Sequence, residues 1–221
     1  MSYNTNIIII FDESGSMECM GKEPVQSLNA FIEEQKKGFN NSIYTLVTFS
    51  DNHKIIFDHV NIKHVEEMKF DDYKPNGCTA LNDAIYETIS RDLERCNMDV
   101  ICLIITDGIE NCSKKYSNKD VRKILNLAKK TYNWDIRFIG SDIDSIKEGE
   151  NIGLQSNSCY QFSKQHYGDL TALTRSISSD IINNDVNRID NLNIQIPNKT
   201  QSIENVLPSP LSPLKTRQTV C

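Results

Sequence analysis

Residues 7–16 read Ile7-Ile8-Ile9-Ile10-Phe11-Asp12-Glu13-Ser14-Gly15-Ser16, and the fold is decided there. An unbroken run of β-branched and aromatic side chains is what a strand buried on both faces requires. The run ends abruptly in two acids, two serines and a glycine, and Asp, Ser and Gly favour tight turns. The pattern recurs at Val100-Ile101-Cys102-Leu103-Ile104-Ile105, within a strand expected over 99–106 and followed by Asp107-Gly108. Ile136 to Ile139 reads as a third parallel strand.

Helical spacing fills the intervals between these strands. Val25, Leu28, Phe31 and Ile32 share one face of a helix with Pro24 in its first turn and Gly38 at its end. Leu81, Ile85, Ile89 and Leu93 form a stripe from Ala80 to Arg95, and Val121, Ile124, Leu125 and Ala128 another from Asp120 to Tyr132. Ile43–Phe49 and Ile55–Val60 flank the polar turn Ser50-Asp51-Asn52-His53, so the second should be an antiparallel edge strand. A short helix at Ser145–Glu150, a strand at Ser158–Phe162 and a helix at Leu170–Ile182 complete the unit. The fold expected is α/β: a doubly wound, mostly parallel six-stranded sheet, Rossmann-like, with one antiparallel edge strand and helices on both faces. Residues 1–183 should form this domain. Residues 184–221, rich in Pro, Ser and Asn, read as a disordered tail.

Composition narrows the function. At 221 residues the chain is long enough to bury a core, and its 38% hydrophobic and 24% charged content is ordinary for a globular domain. A net charge of -6 and only isolated basic pairs argue against a nucleic-acid partner. No segment approaches the roughly 20 apolar residues that cross a bilayer, and no basic, cleavable leader precedes Ile7, so a cytoplasmic location without membrane attachment is expected. The seven Cys are odd in number and scattered, without a C-x-x-C pair, which fits reduced thiols better than a disulfide framework or a zinc site.

In a doubly wound sheet, ligands bind beyond the carboxyl ends of the strands. There the sequence places Asp12, Ser14 and Ser16 after the first strand and Asp107 after the strand at 99–106, with Thr79 opening the helix between them. Carboxylate and hydroxyl oxygens are hard ligands, suited to Mg²⁺ or Mn²⁺. With hydroxyls bound directly and carboxylates acting through water, the ion would stay electrophilic and accept an anionic oxygen from outside.

These segments resemble the von Willebrand factor A family and its metal-ion-dependent adhesion site, the MIDAS. The family pattern D-x-S-x-S reads here Asp12-Glu13-Ser14-Gly15-Ser16. Its distant Thr is Thr79 within Gly77-Cys78-Thr79-Ala80-Leu81, and its later Asp is Asp107 within Thr106-Asp107-Gly108. The wider phrases are similar to intracellular microbial and viral members, and the resemblance covers roughly residues 5 to 183. It implies a non-enzymatic module that uses Mg²⁺ to capture an Asp or Glu of a partner protein. A Mg²⁺-dependent hydrolase and a scaffold with an empty site are the alternatives.

Plainer readings exist for the same residues. Asp12 and Asp107 could cap helices. Ser14 and Ser16 lack the G-x-S-x-G of a nucleophile elbow, the D-x-D of aspartyl phosphatases is missing, and His53, His59, His64 and His166 show no partnered acid. Glu13 and Glu110 read as solvated loop residues, with tuning of the ion's affinity as the alternative, and Asn82 and Asp83 either hydrogen-bond around Thr79 or favour a helix start. Cys78 reads as a small loop residue or a redox-sensitive neighbour of Thr79. Asp142 and Asp144 are either rim residues or helix caps, and Trp134 is core. Ser209 and Ser212 precede prolines as candidate phosphorylation sites.

Overall fold

The computed structural model describes residues 5–38, 42–95, 98–141 and 143–189. Strands β1 (Thr5–Asp12), β2 (Ser42–Phe49), β3 (His53–Asn61), β4 (Asp99–Thr106), β5 (Asp135–Gly140) and β6 (Cys159–Gln161) form one six-stranded sheet in the order β3-β2-β1-β4-β5-β6. Only β3 runs antiparallel, paired with β2 as the hairpin signal required. The helices are α1 (Glu23–Gly38), α2 (Leu81–Arg95), α3 (Asn118–Tyr132), α4 (Ile143–Asn151) and α5 (Asp169–Ile189). The expected doubly wound α/β architecture is present.

The apolar run in β1 divides between two cores by strand alternation. Ile7, Ile9 and Phe11 pack with Leu28, Phe31 and Ile32 of α1 and Ile177 and Ile181 of α5. Ile8 and Ile10 face Leu81, Ile85 and Ile89 of α2 and Val121, Ile124 and Leu125 of α3. Both faces are covered, so every residue of β1 is buried. Trp134 is core, as expected.

Boundaries move at the ends of elements. α4 begins at Ile143, ahead of the expected Ser145, and β6 is confined to Cys159–Gln161. α5 passes the expected end near Ile182 and continues to Ile189. Its Asn and Asp content lowers helix propensity, but no Gly or Pro lies between Leu170 and Ile189 to stop it. The division expected after residue 183 therefore falls inside this helix. Asp142 and residues 190–221, with Ser209 and Ser212, lie outside the described residues.

β1 and β4 are neighbours whose flanking crossovers diverge, β2 lying on one side and β5 on the other. Such a switch point opens a crevice at the carboxyl ends of the two strands. Asp12 pairs in register with Phe49 of β2, and Phe11 with Ile105 of β4, so Asp12 and Asp107 emerge side by side there.

Candidate metal centre

Each carboxylate in the crevice is held by the chain leaving its own strand or its neighbour's. After Asp12 the backbone makes an extended step at Ser14 and enters a 3₁₀ turn over Gly15–Met20. That path sends the Ser14 N–H back to Asp12 Oδ1 at 2.7 Å, while Thr106 Oγ1 donates to Asp12 Oδ2 at 2.5 Å. Ser14 Oγ and Ser16 Oγ lie 3.2 Å apart, and Ser16 Oγ donates to Asp107 Oδ1 at 2.6 Å. Thr79 reaches the cluster beside Gly108, where a Cβ would stand 3.1 Å from Thr79 Oγ1 and 3.7 Å from Ser16 Oγ. All the oxygen-bearing residues singled out in the sequence thus converge.

The loop carrying Thr79 is positioned by a reciprocal clamp. Thr79 N–H donates to Asn111 Oδ1 at 2.8 Å, and Asn111 N–H donates to Thr79 O at 3.1 Å. Asn76 N–H donates to Glu13 O and Gly15 N–H to Gly77 O, tying this loop to the Asp12–Ser16 segment. Gly77 sits at φ +81, a conformation that favours glycine, and a Cβ there would also stand 2.5 Å from Asp51 Oδ2 and displace that carboxylate.

Burial and charge set the chemistry. Asp12, Ser14, Thr79 and Asp107 are 0%, 1%, 3% and 3% exposed, whereas Ser16 is exposed at the mouth. Burial pushes the Asp12 carboxyl up to about 6, against the opposing hydrogen bonds from Thr106 and Ser14, and the Asp107 charge adds a smaller push upward. The donors to the Asp12 carboxylate are neutral. Lys164 Nζ, after β6, approaches Asp107 Oδ2 at 3.3 Å. A buried, oxygen-only donor set with excess negative charge fits a hard divalent cation.

Several plainer readings change. Glu110 is not a freely solvated loop residue: its carboxylate accepts the N–H groups of Asn82, Cys112 and Ser113 and the Ser113 hydroxyl. Glu13 likewise accepts from Lys74 N–H at 2.9 Å. Asp83 collects the N–H groups of Lys114, Lys115 and Tyr116, so it holds the loop after β4 on the start of α2. Asn82 Nδ2 bonds Asn118 Oδ1 at 2.6 Å and makes no contact around Thr79 through that group. Asp144 is exposed and pairs with Lys147 within α4.

Two histidines also have acids that sequence reading missed. His59 Nε2 lies 2.6 Å from Asp92 Oδ1, and His53 Nε2 lies 3.3 Å from Glu87 Oε2. His59 and Asp92 lie at the amino end of β1, where Asn6 joins them, at the opposite end of the strand from Asp12. No periodic signal links residues so distant in sequence. Lys164 was missed for the same reason.

Comparison with known proteins places this geometry. The sequence profile of the von Willebrand factor type A domain matches residues 6–176. Among solved structures, proximal thread matrix protein 1 from the mussel byssus, with a zinc-occupied MIDAS motif, is 18% identical and superposes with a TM-score of 0.60 over 82% of this chain and 46% of its own. A von Willebrand factor type A protein from Catenulispora acidiphila is 15% identical, with a TM-score of 0.62 over 82% of this chain and 43% of that one. The vWF domain of the type V pili tip protein Mfa5 from Porphyromonas gingivalis is 11% identical, with a TM-score of 0.63 over 82% and 96%. The chain spans less than half the length of the mussel and Catenulispora proteins, and at these identities the likeness is one of fold. No curated protein matches the chain.

Proposed function

This chain belongs to the von Willebrand factor type A family, and from that premise we propose that it is an intact-MIDAS module that captures an acidic residue of a partner protein. Asp12, Ser14, Ser16, Thr79 and Asp107 would hold the ion, with Mg²⁺ favoured by the oxygen-only donor set and Mn²⁺ as the close substitute. When bound, that ion supplies an electrophilic position for a carboxylate oxygen.

The observation that carries this reading is the asymmetry of exposure. Asp12, Ser14, Thr79 and Asp107 are buried, and Ser16 alone opens to solvent. Buried carboxylates hold negative charge behind the site, while the Ser16 hydroxyl stands at its front. Ile109, which follows Gly108, is 49% exposed and offers an apolar contact beside the mouth. That combination suits a protein surface presenting Asp or Glu amid apolar residues.

We read the chain as non-enzymatic. Among the described residues the basic group touching the cluster is Lys164, which is engaged with Asp107, and His59 is paired with Asp92 at the opposite end of β1. The seven scattered cysteines support a reducing, cytoplasmic setting, and the wider phrases around Asp12, Thr79 and Asp107 support the intracellular microbial or viral type. No described helix is long and apolar enough to cross a membrane.

Calorimetry tests the reading directly. Titration with MgCl₂ or MnCl₂ should show one site, absent in Asp12→Ala and Ser14→Ala. An acidic peptide library should then be retained by the wild type in Mg²⁺ and released by EDTA. Heat of binding unchanged in both variants would refute the assignment, as would Mg²⁺-dependent ester or phosphate hydrolysis lost in Asp107→Ala.

A further inference from the structure

A second cluster of ligand-type side chains stands beside the oxygen site and takes no part in it. Asp51 in the β2–β3 turn, Cys78 before α2 and Cys112 after β4 each offer one ligand atom, and these atoms all lie within 4.8 Å of one another. Cys112 Sγ is 4.0 Å from Asp51 Oδ1. Asp51 and Cys78 are exposed and Cys112 is half-buried, so the cluster opens to solvent on one side.

We infer that Asp51, Cys78 and Cys112 form a separate cation site for a thiophilic divalent ion of the zinc class, with water or an external ligand completing the coordination.

The donor chemistry separates this site from its neighbour. Two sulfurs with one carboxylate oxygen select borderline-soft ions, whereas the all-oxygen cluster selects hard ones. Tetrahedral zinc with Zn–S near 2.3 Å and Zn–O near 2.1 Å sets ligand-to-ligand edges of about 3.5–3.8 Å. The separations in this structure, none above 4.8 Å, contract by at most about 1 Å to reach them. Three protein ligands and an open fourth position are a coordination that zinc adopts.

The backbone already holds the three loops in place without any ion. Cys78 N–H donates to Asp51 Oδ1 at 2.9 Å, and Ala80 N–H donates to Ser50 O at 2.8 Å. Cys112 is fixed through its own N–H on Glu110 Oε1 at 2.9 Å. A site organised in this way loses little conformational freedom when it binds. The spacing along the chain, 27 residues from Asp51 to Cys78 and 61 from Asp51 to Cys112, hides it from any search for paired cysteines in the sequence. An odd cysteine count and the lack of a C-x-x-C pair disfavour a zinc site in the sequence, and neither feature bears on a cluster assembled from three separate loops.

The consequence is local. Cys78 precedes Thr79, and Cys112 follows Asn111, the residue that clamps Thr79. An ion joining the two thiolates would hold together both segments that position Thr79.

Cobalt(II) titration of the full chain, kept reduced with a phosphine in saturating Mg²⁺, tests this. The expected result is a sulfur-to-cobalt charge-transfer band with tetrahedral visible bands, complete at one equivalent and abolished by one equivalent of Zn²⁺. Cys112→Ser and Cys78→Ser should each weaken Co²⁺ binding at least tenfold while leaving the circular-dichroism melt unchanged. Cys19→Ser should bind as the wild type does. Ser14→Ala should keep the band, because the oxygen site is not involved. The inference is overturned if no sulfur band develops, if the band survives in Cys112→Ser, if Ser14→Ala removes it, or if Cys78 and Cys112 prove to be joined as a disulfide under these conditions.

Discussion

Both ends of the central strand bury a carboxylate completely, and they treat it in opposite ways. Asp92, beside the amino end of β1, is 0% exposed and surrounded by donors that can carry positive charge: His59 Nε2 at 2.6 Å and Arg91 at 2.8 Å, with the Asn6 amide at 3.3 Å. Asp12, at the carboxyl end, is also 0% exposed, yet its donors are the neutral Ser14 N–H and Thr106 hydroxyl. Removing an ion from water costs several kcal/mol unless an opposite charge answers it. At Asp92 the chain supplies that charge. At Asp12 the chain supplies none, as the proposed metal role of this acid requires.

Four experiments would break or sharpen this contrast. The largest effect belongs to Asp92→Ala, which removes the buried acceptor shared by His59, Arg91 and Asn6 and should destabilise the fold by about 3 kcal/mol in urea unfolding while leaving Mg²⁺ affinity unchanged. Loss of Mg²⁺ binding in that variant would erase the distinction. Next, Mg²⁺ at a hundred times its Kd should stabilise the wild type by about 2.7 kcal/mol, read as a rise in Tm. Asp12→Asn should abolish that rise and keep the metal-free Tm close to the wild type.

Acidity gives a smaller effect with a definite sign. Burial raises the Asp12 carboxyl to about 6, so a proton competes with the ion below that pH. Mg²⁺ affinity by calorimetry should be level above pH 7 and fall about tenfold for each pH unit below 6. The smallest change is expected from Lys164→Met. Lys164 is partly exposed and answers part of the Asp107 charge, so its removal should tighten Mg²⁺ by about two- to fivefold, as suits a half-solvated ion pair. Weaker binding would mean that Lys164 helps to hold the site together.

What the sequence revealed and what it hid follow from how far each signal reaches. Ile7–Phe11 and Val100–Ile105 announced central strands because burial on both faces leaves nothing but apolar residues. Asp12, Ser14 and Ser16 were legible as a local pattern, and Asp107 and Thr79 by their places at element ends. The partners of Asp92, the Lys164–Asp107 contact and the loop-binding roles of Glu110 and Asp83 were not legible. Each is a polar contact between segments remote in sequence, and one such pair leaves no periodic trace. The far end of α5 was hidden for another reason: Asn and Asp weaken a helix without ending it.

The bracketing of β1 by Asn6 and Asp12 has a consequence for folding fidelity. With five consecutive apolar residues facing two apolar cores, a one-place slip of this strand would still bury only hydrocarbon, so hydrophobicity cannot police its alignment. The two polar residues act as end-stops. A slip would pull Asn6 away from Asp92 or draw Asp12 off its serine and threonine donors, leaving a polar group stranded in the dark interior. The acid that we propose as a metal ligand would thus also serve as a ruler for the innermost strand.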